Sequence, residues 1–294
     1  MAATDRVKVL GICGSARHAS TEWAVKLALS TAESLGYVDT DFVNLGEYKL
    51  TPCTGCMKCF GWQHPADAPL PKCYESEDDT EKLFEKFLAS DGVILGTPSY
   101  VLGVTSLTRI FMEKAHQMGP MSFTKFAGWM RHKPIGAITV GGVDIAGQES
   151  IAGDIWIWAI GLGMLPVGSW PTFDDPNPQA SEHGGLVSTV DGRAIYGKDA
   201  LSRDACRTVP PTQGIRNERA LRNVGRHVAH VALVSRLGVR AVKDGDYQVP
   251  RPISFTRYSV KAKKNSWVQK LMDEGVIKYV PKTEVAGELN PWEE

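Results

Sequence analysis

The chain predicts an α/β fold, a doubly wound sandwich around a five-stranded parallel sheet. Three observations carry this expectation. Short apolar runs alternate with stretches of helical periodicity over residues 7–168, the pattern of successive βαβ units. The runs read as buried parallel strands. The first, third and fourth end in Gly, Ser or Pro, residues that turn the chain sharply. Crossovers of this kind are right-handed and place helices on both faces. Ligands are then expected outside the carboxyl ends of the strands, near the topological switch point.

The elements follow in order. Residues 7–13, Val-Lys-Val-Leu-Gly-Ile-Cys, form the first strand and run into Gly14-Ser15. Trp23 and Leu27 begin a helical pattern, and Phe42-Val43-Asn44-Leu45 is the second strand candidate. A cysteine-bearing loop occupies 46–76. Leu83, Phe84, Phe87 and Leu88 predict a helix after the acidic opening Glu75-Ser76-Glu77-Asp78-Asp79, which suits a helix N-terminus. Val93-Ile94-Leu95-Gly96-Thr97 is a third strand, followed by a turn at Pro98 and a helix through Leu107, Ile110 and Phe111. Pro134–Val140 is a fourth strand ending in Gly141-Gly142, residues 145–160 read as a helix, and Met164–Gly168 as a weaker fifth strand. Residues 171–212 break the rhythm with Pro, Gly, Asp and Ser, and a structureless loop of that length is unusual. A lid, an arm to a neighbouring subunit, or an insertion with short strands of its own would account for it. A helix over about 213–237 carries the apolar stripe Leu221, Val224, Val228 and Val231, with Arg216, Arg219, Arg222 and Arg226 largely off it as a solvated face. Residues 239–294 form a C-terminal extension expected to pack on the core or on a partner subunit.

Composition narrows the class. The 294 residues are 43% hydrophobic and 22% charged, with zero formal net charge, so a sizeable core is available. Neither nucleic acid nor an anionic membrane is expected as the main partner. No apolar run approaches a membrane span. Met1–Asp5 runs straight into the first strand without a signal-peptide pattern. The six cysteines are therefore expected in a reducing cytoplasm.

Between the first strand and the first helix lies Gly14-Ser15-Ala16-Arg17-His18-Ala19-Ser20-Thr21. Glycine permits a tight turn, and backbone N–H groups and a helix N-terminus favour an anion. Ser15, Ser20 and Thr21 add hydroxyls, and Arg17 adds a forked cation. Neither the G-x-G-x-x-G nor the G-x-x-x-x-G-K-[ST] pattern is present. Two further loops fall at the same sheet edge, Thr97-Pro98-Ser99-Tyr100 and Gly141-Gly142-Val143-Asp144-Ile145-Ala146-Gly147. Together the three suit a planar ring with a phosphate tail. The tail would lie in the first loop and the ring between the other two, with Tyr100 flanking it.

Cys53, Cys56 and Cys59 recur at every third residue, and Cys73 follows beyond a Pro-rich stretch. Three thiolates at that spacing can meet three corners of one iron–sulfur cubane, and a remote cysteine the fourth. A zinc site, a bare redox-active thiol loop and a disulfide are alternatives. The overlapping pairs are unlike the two separate Cys-x2-Cys pairs of most four-cysteine zinc sites. Cys13 reads as a small core hydrophobe, Cys206 as a free thiol, and His18, His132, His227 and His230 as structural.

The segments Gly14–Ser20 and Thr97–Tyr100 with Thr105-Ser106-Leu107-Thr108-Arg109 resemble those of the flavodoxin-like NAD(P)H-dependent FMN reductases. Cys53-x2-Cys56-x2-Cys59 with Cys73-x4-Asp78-Asp79 resembles their iron–sulfur flavoprotein branch. The likeness covers about residues 6–170 and the helix near 213–237. It implies a flavodoxin-like fold, FMN at the three loops, a [4Fe–4S] cluster close to the flavin, and dimers or tetramers. On that resemblance Ser15, Arg17, Ser20 and Thr21 hold the phosphate. Thr97, Pro98, Ser99, Tyr100, Gly141 and Gly142 hold ribityl and ring, and Cys53, Cys56, Cys59 and Cys73 hold the cluster. The stretch from Cys59 to Cys73 is longer than the family's and carries Trp62, His64, Pro65, Pro69 and Pro71, so His64 is an alternative fourth ligand. Leu102 stands where the family often has a small residue. Residues 1–238 are read as the FMN-binding domain.

The function expected is an FMN oxidoreductase in which flavin N5 is the reactive atom and the protein supplies no catalytic acid or base. Electrons would come from NAD(P)H or a ferredoxin-like donor. They would leave to a small acceptor such as a quinone, a nitro or azo aromatic, or oxygen. An electron-carrier module that docks a partner protein is the alternative. A specialised reductase, with residues 171–212 and the tail over the flavin, is a third. Trp62, Trp156, Trp158 and Trp170 could wall an aromatic site, though core packing is the default for most of them.

Overall fold

The computed structural model describes residues 6–60, 69–119, 122, 124, 126–141, 147–169, 185–188 and 215–244. Among the described residues there are six strands: β1 (Val7–Cys13), β2 (Val38–Asn44), β3 (Gly92–Pro98), β4 (Pro134–Gly141), β5 (Leu165–Val167) and β6 (Gly185–Ser188). Five helices accompany them: α1 (Ser20–Glu33), α2 (Thr80–Ala89), α3 (Ser106–Lys114), α4 (Gln148–Gly161) and α5 (Ile215–Asp244). Every strand pair is parallel, in the order β2-β1-β3-β4-β5. This is the flavodoxin-like doubly wound order, whose switch point lies between β1 and β3.

All residues of β3 and β4 are buried, as continuous apolar runs in a sheet covered on both faces require. One face packs on α2, α3 and α4 through Phe84, Phe87, Phe111, Ile151 and Ile155. Val25, Ala28, Leu221, Val224 and Val228, from α1 and α5, cover the other. These two helices meet closely at Gly225, where an added Cβ would lie 2.1 Å from the Ala28 carbonyl oxygen. The expected α5 stripe is thus the buried one, with Leu221, Val224 and Val228 fully covered. Two of the tryptophans face the core: Trp158 stacks on Phe87, and Trp156 packs against the same cluster.

One element departs from the expected five strands. β6 comes from the irregular segment 171–212 and pairs with Ile138–Gly141 of β4. β5 pairs only with Pro134–Gly136 of the same strand. Two separate pieces of chain therefore complete one side of β4, and β6 takes the half nearest the carboxyl ends. The chain divides into units of residues 1–240 and 241–294. Of the second unit, the described residues are 241–244, in α5. Among the described residues no helix is long and apolar enough to cross a membrane.

Candidate functional site

The turn after β1 is fixed from below by a group of buried threonines. Thr105 Oγ1 donates to the Gly14 carbonyl at 2.6 Å, and Thr108 Oγ1 lies 2.9 Å from Thr105 Oγ1 and 3.1 Å from Thr97 Oγ1. A Cβ on Gly14 would lie 1.9 Å from Thr108 Oγ1, so glycine is required by packing. Thr97 is fully buried in this group and braces the loops from behind.

Above the threonines, α1 begins at Ser20 with no side chain capping it. Its first-turn N–H groups are donors of the kind an anion satisfies. Ser15 is buried and accepts from the Arg17 amide at 3.1 Å, and Thr21 is buried in the first turn. The exposed Arg17 guanidinium makes no hydrogen bond or ion pair among the described residues. The one nearby carboxylate of the first turn is Glu22. Burial pushes it up, but hydrogen bonds from Lys26, Asn44 and His18 hold it below its ordinary value. Its oxygens lie 2.5, 3.0 and 2.7 Å from those groups.

The turn after β3 and the end of β4 lie at the same edge. Pro98 ends β3, and the Ser99 amide donates to Val140 of β4 at 2.8 Å. Tyr100 and Gly103 exchange backbone hydrogen bonds across a two-residue turn. Val101 and Leu102, in that turn, take φ of 50° and 62° and are 99% and 64% exposed. Two central residues at positive φ make a turn that normally selects Asn-Gly, and for a β-branched valine the conformation is an outlier. Gly147, at φ 78°, lies against Leu102, 3.0 Å from its Cα for an added Cβ. Gly141 ends β4 and is buried; Gly142 lies outside the described residues. An anion-ready turn after β1, the Tyr100–Gly103 turn after β3 and Gly141 at the end of β4 therefore share the carboxyl edge beside the switch point.

The cysteine loop begins against this edge. β2 ends in a single 3-10 turn, Leu45–Glu47, whose Gly46 amide donates to the Asn44 side chain at 2.9 Å. A Cβ on Gly46 would lie 2.8 Å from Ala16 Cα, so the root of the loop leans on the phosphate turn. Cys53, Cys56, Cys59 and Cys73 are all free thiols and line one cavity with Ser76, Lys114, His116 and Gln117. Among the described residues no three His, Cys, Asp or Glu side chains converge as the ligands of a single metal ion would. His64, Trp62 and Cys206 lie outside the described residues.

The cavity wall contains residues that spacing did not reveal. Lys114 and Asp78 form an ion pair whose side chains are 3% and 1% exposed. Lys114 Nζ also reaches Thr51 Oγ1 at 3.0 Å and Ser76 Oγ at 3.1 Å. The Thr51 hydroxyl shares its one proton between Asp78 Oδ2 and Ser76 Oγ, each 2.6 Å away, and the Thr80 amide donates to Asp78 at 3.1 Å. Burial pushes the Asp78 carboxyl up, but these donors, Lys114 first, hold it well below the usual carboxylate range. His116 points Nε2 at Cys59 Sγ, 3.3 Å away, with Nδ1 against the Glu113 carbonyl.

The thiols differ among themselves. Burial pushes Cys59 up to about 11, with the neighbouring cysteines adding to it. Burial acts on Cys73 in the same sense, but the Ser76 hydroxyl, the Glu75 and Ser76 amides and the Lys114 charge outweigh it and lower Cys73. Cys13, away from the cavity, is buried in β1 and pushed up to about 12, as a core thiol should be. A signal for Lys114 was present in the sequence: it continues the Leu107, Phe111 stripe of α3, so it sits where an apolar residue belongs. His116 carried none.

A sheet of this order with an anion-ready turn at its switch point defines a flavodoxin-like protein. Residues 7–176 match the family described as NADPH-dependent FMN reductase. An iron–sulfur flavoprotein of Methanocaldococcus jannaschii is 29% identical over 187 residues, covering 63% of this chain and 86% of that protein. One of Archaeoglobus fulgidus is 30% identical over 159 residues, covering 54% of this chain and 74% of that one. The solved structure of RosB with bound 8-demethyl-8-formylriboflavin-5'-phosphate shares the fold, with a TM-score of 0.51 at 15% identity over 86% of this chain and 94% of that one. The chain belongs to the NADPH-dependent FMN reductase family, in its iron–sulfur flavoprotein branch, and is a flavin-dependent oxidoreductase.

Proposed function

We propose that the chain is an FMN oxidoreductase that also holds a [4Fe–4S] cluster on Cys53, Cys56, Cys59 and Cys73. It would pass electrons from NAD(P)H or a ferredoxin-like donor to a small acceptor such as a quinone, a nitro or azo aromatic, or oxygen. The observation that carries the reading is that four free thiols line one cavity whose root packs on the phosphate turn. Four cysteines are the donor set of such a cluster, one to each iron. That requirement differs from the convergence on one point that a zinc ion demands.

The uncapped N-terminus of α1, with Ser15, Arg17, Ser20 and Thr21, would bind the FMN phosphate. Glu22 is held ionised by Lys26, Asn44 and His18, and its ion pair with Lys26 offsets the negative charge that would oppose the phosphate. Tyr100, Ser99, Pro98 and Gly141–Gly142 would orient the ring, with Thr97 bracing them from behind. When bound, the flavin supplies hydride and single-electron chemistry and the cluster supplies single-electron chemistry. The protein's part is to bind, orient and shield, and no side chain is required as general acid or base. The partners proposed are a small-molecule acceptor, a ferredoxin-like protein donor and a second copy or a pair of dimers, in a reducing cytoplasm.

The test is the absorption spectrum and the iron and sulfide content of protein purified anaerobically. A flavin doublet over a broad shoulder near roughly 400–420 nm is expected from thiolate-ligated iron–sulfur charge transfer. Cys56→Ala should remove iron and sulfide and keep FMN. Zinc, or no metal, in wild-type protein leaves only a flavin reductase with a cysteine loop. Steady-state NAD(P)H oxidation with a quinone separates this reading from a pure electron carrier, which shows none. The specialised-reductase reading has one observation in its favour: β6 brings residues of segment 171–212 alongside the ring-side half of β4.

A further inference from the structure

We propose that Lys114 holds the Ser76 hydroxyl in position to donate a hydrogen bond to the Cys73 sulfur, and that this contact raises the reduction potential of the cluster. The inference rests on the four-cysteine reading above. It follows from counting protons. Lys114 Nζ has three to donate and three acceptors around it: Asp78 Oδ2, Thr51 Oγ1 at 3.0 Å and Ser76 Oγ at 3.1 Å. Ser76 Oγ therefore accepts from Lys114 and has one proton of its own to give. Thr51 Oγ1 donates to it as well, at 2.6 Å, so its own proton has Cys73 Sγ at 3.1 Å and Asp78 Oδ2 at 3.3 Å as acceptors.

Asp78 Oδ2 already accepts from Lys114 and lies 2.6 Å from Thr51 Oγ1 and 3.3 Å from the Thr51 amide. The sulfur is both nearer and less supplied, so the Ser76 proton belongs to Cys73. The ion pair is buried on both sides, so the hydroxyl is held by groups that water does not displace. The formal charges of Lys114 and Asp78 cancel, which leaves the hydrogen bond as the main means of acting on the sulfur.

A donor to a ligand sulfur draws off electron density and favours the more negative, reduced state, and such bonds are among the determinants of cluster potential. Ser76 is thus a positioning residue for the ligand, and Lys114 positions Ser76. In the reduction concerned, the cluster gains one electron and no proton, the electron coming in the test from dithionite through soluble mediators.

The experiment is an anaerobic mediated redox titration of the full chain, followed by electron paramagnetic resonance, on wild type, Ser76→Ala and Ser76→Thr. Ser76→Ala is expected to keep iron, sulfide and FMN. Its reduction equilibrium should fall about tenfold, which for one electron is a shift of about 59 mV to lower potential. Ser76→Thr, which keeps the hydroxyl, should return to the wild-type value. A full cluster at an unmoved potential in Ser76→Ala overturns the proposal, and so does a lowered potential that threonine fails to restore. If Ser76→Ala cannot hold iron, Thr51→Val must show a smaller shift in the same direction, and its absence counts against the proposal. Wild type without iron and sulfide, or a Cys73→Ala protein with a complete cluster, means instead that the four-cysteine reading has failed and takes the proposal with it.

Discussion

The strand-end edge proposed for the flavin and the cysteine cavity are held by opposite means. The flavin edge is made of strand ends. Its turn positions are set by the register of β1, β3 and β4, and its donors are backbone groups and hydroxyls braced on Thr97, Thr105 and Thr108. The cysteine cavity is made of irregular chain over residues 51–60 and 69–79, closed by one buried ion pair on α3. On the proposed function, a ligand that must be oriented is given to the sheet, and one whose ligands must wrap around it is given to loops. The difference predicts that damage spreads within the cavity and stays local at the edge.

Lys114→Met is the strongest attempt to break the comparison. It leaves the Asp78 carboxylate buried and unpaired, a loss of about 3–5 kcal/mol. Denaturant unfolding should show that loss, with FMN still bound in the folded fraction. A stability change below about 1 kcal/mol would mean the pair does not hold the loop.

Arg17→Ala should do the reverse. It removes a charge-assisted contact to the phosphate worth about 1.5–3 kcal/mol, read as weaker FMN binding by titration. The unfolding midpoint of FMN-free protein should not move.

Gly14→Ala sharpens the edge half of the comparison. The new Cβ meets Thr108 Oγ1, and overpacking of this kind costs about 1–3 kcal/mol. Adding Thr108→Ala removes the clashing hydroxyl, so a double-mutant cycle on stability should show positive recovery. Additive losses would mean the turn fails for another reason.

The smallest effect is one of pH. The Asp78 carboxyl lies well below its ordinary value in the folded protein. Its stabilisation is therefore complete above the ordinary value of 3.8 and is lost as pH falls from there toward its folded value. Unfolding measured from pH 5 downward should fall more steeply in wild type than in an Asp78→Asn, Lys114→Met pair.

The same division explains what the sequence disclosed. β1, β3 and β4 were legible because a strand buried on both faces must be apolar throughout. The turn after β1 was legible because glycine and hydroxyl residues there follow a strand at once. Each of these signals is local. Ser76, Asp78, Thr51 and Lys114 lie up to 63 positions apart and meet only when α3 docks. Asp78 read as part of an acidic helix entrance, which hid its pairing with Lys114. β6 was hidden for a different reason: its four residues, Gly-Leu-Val-Ser, are too few to show a period.

That four-residue strand bears on how the protein folds. β5 completes the lower half of the β4 edge, whereas β6 must find the upper half from residues 185–188. Chain entropy opposes such a closure only weakly, by about 0.6 kcal/mol for each doubling of the loop, but four residues offer few hydrogen bonds to set against it. Docking of β6 should therefore come after the sheet has formed, and its release should precede global unfolding. Amide exchange would then proceed in two steps along one strand, with the far end of β4 opening while Pro134–Gly136 remains paired. An edge that opens by itself is lost without putting the rest of the sheet at risk.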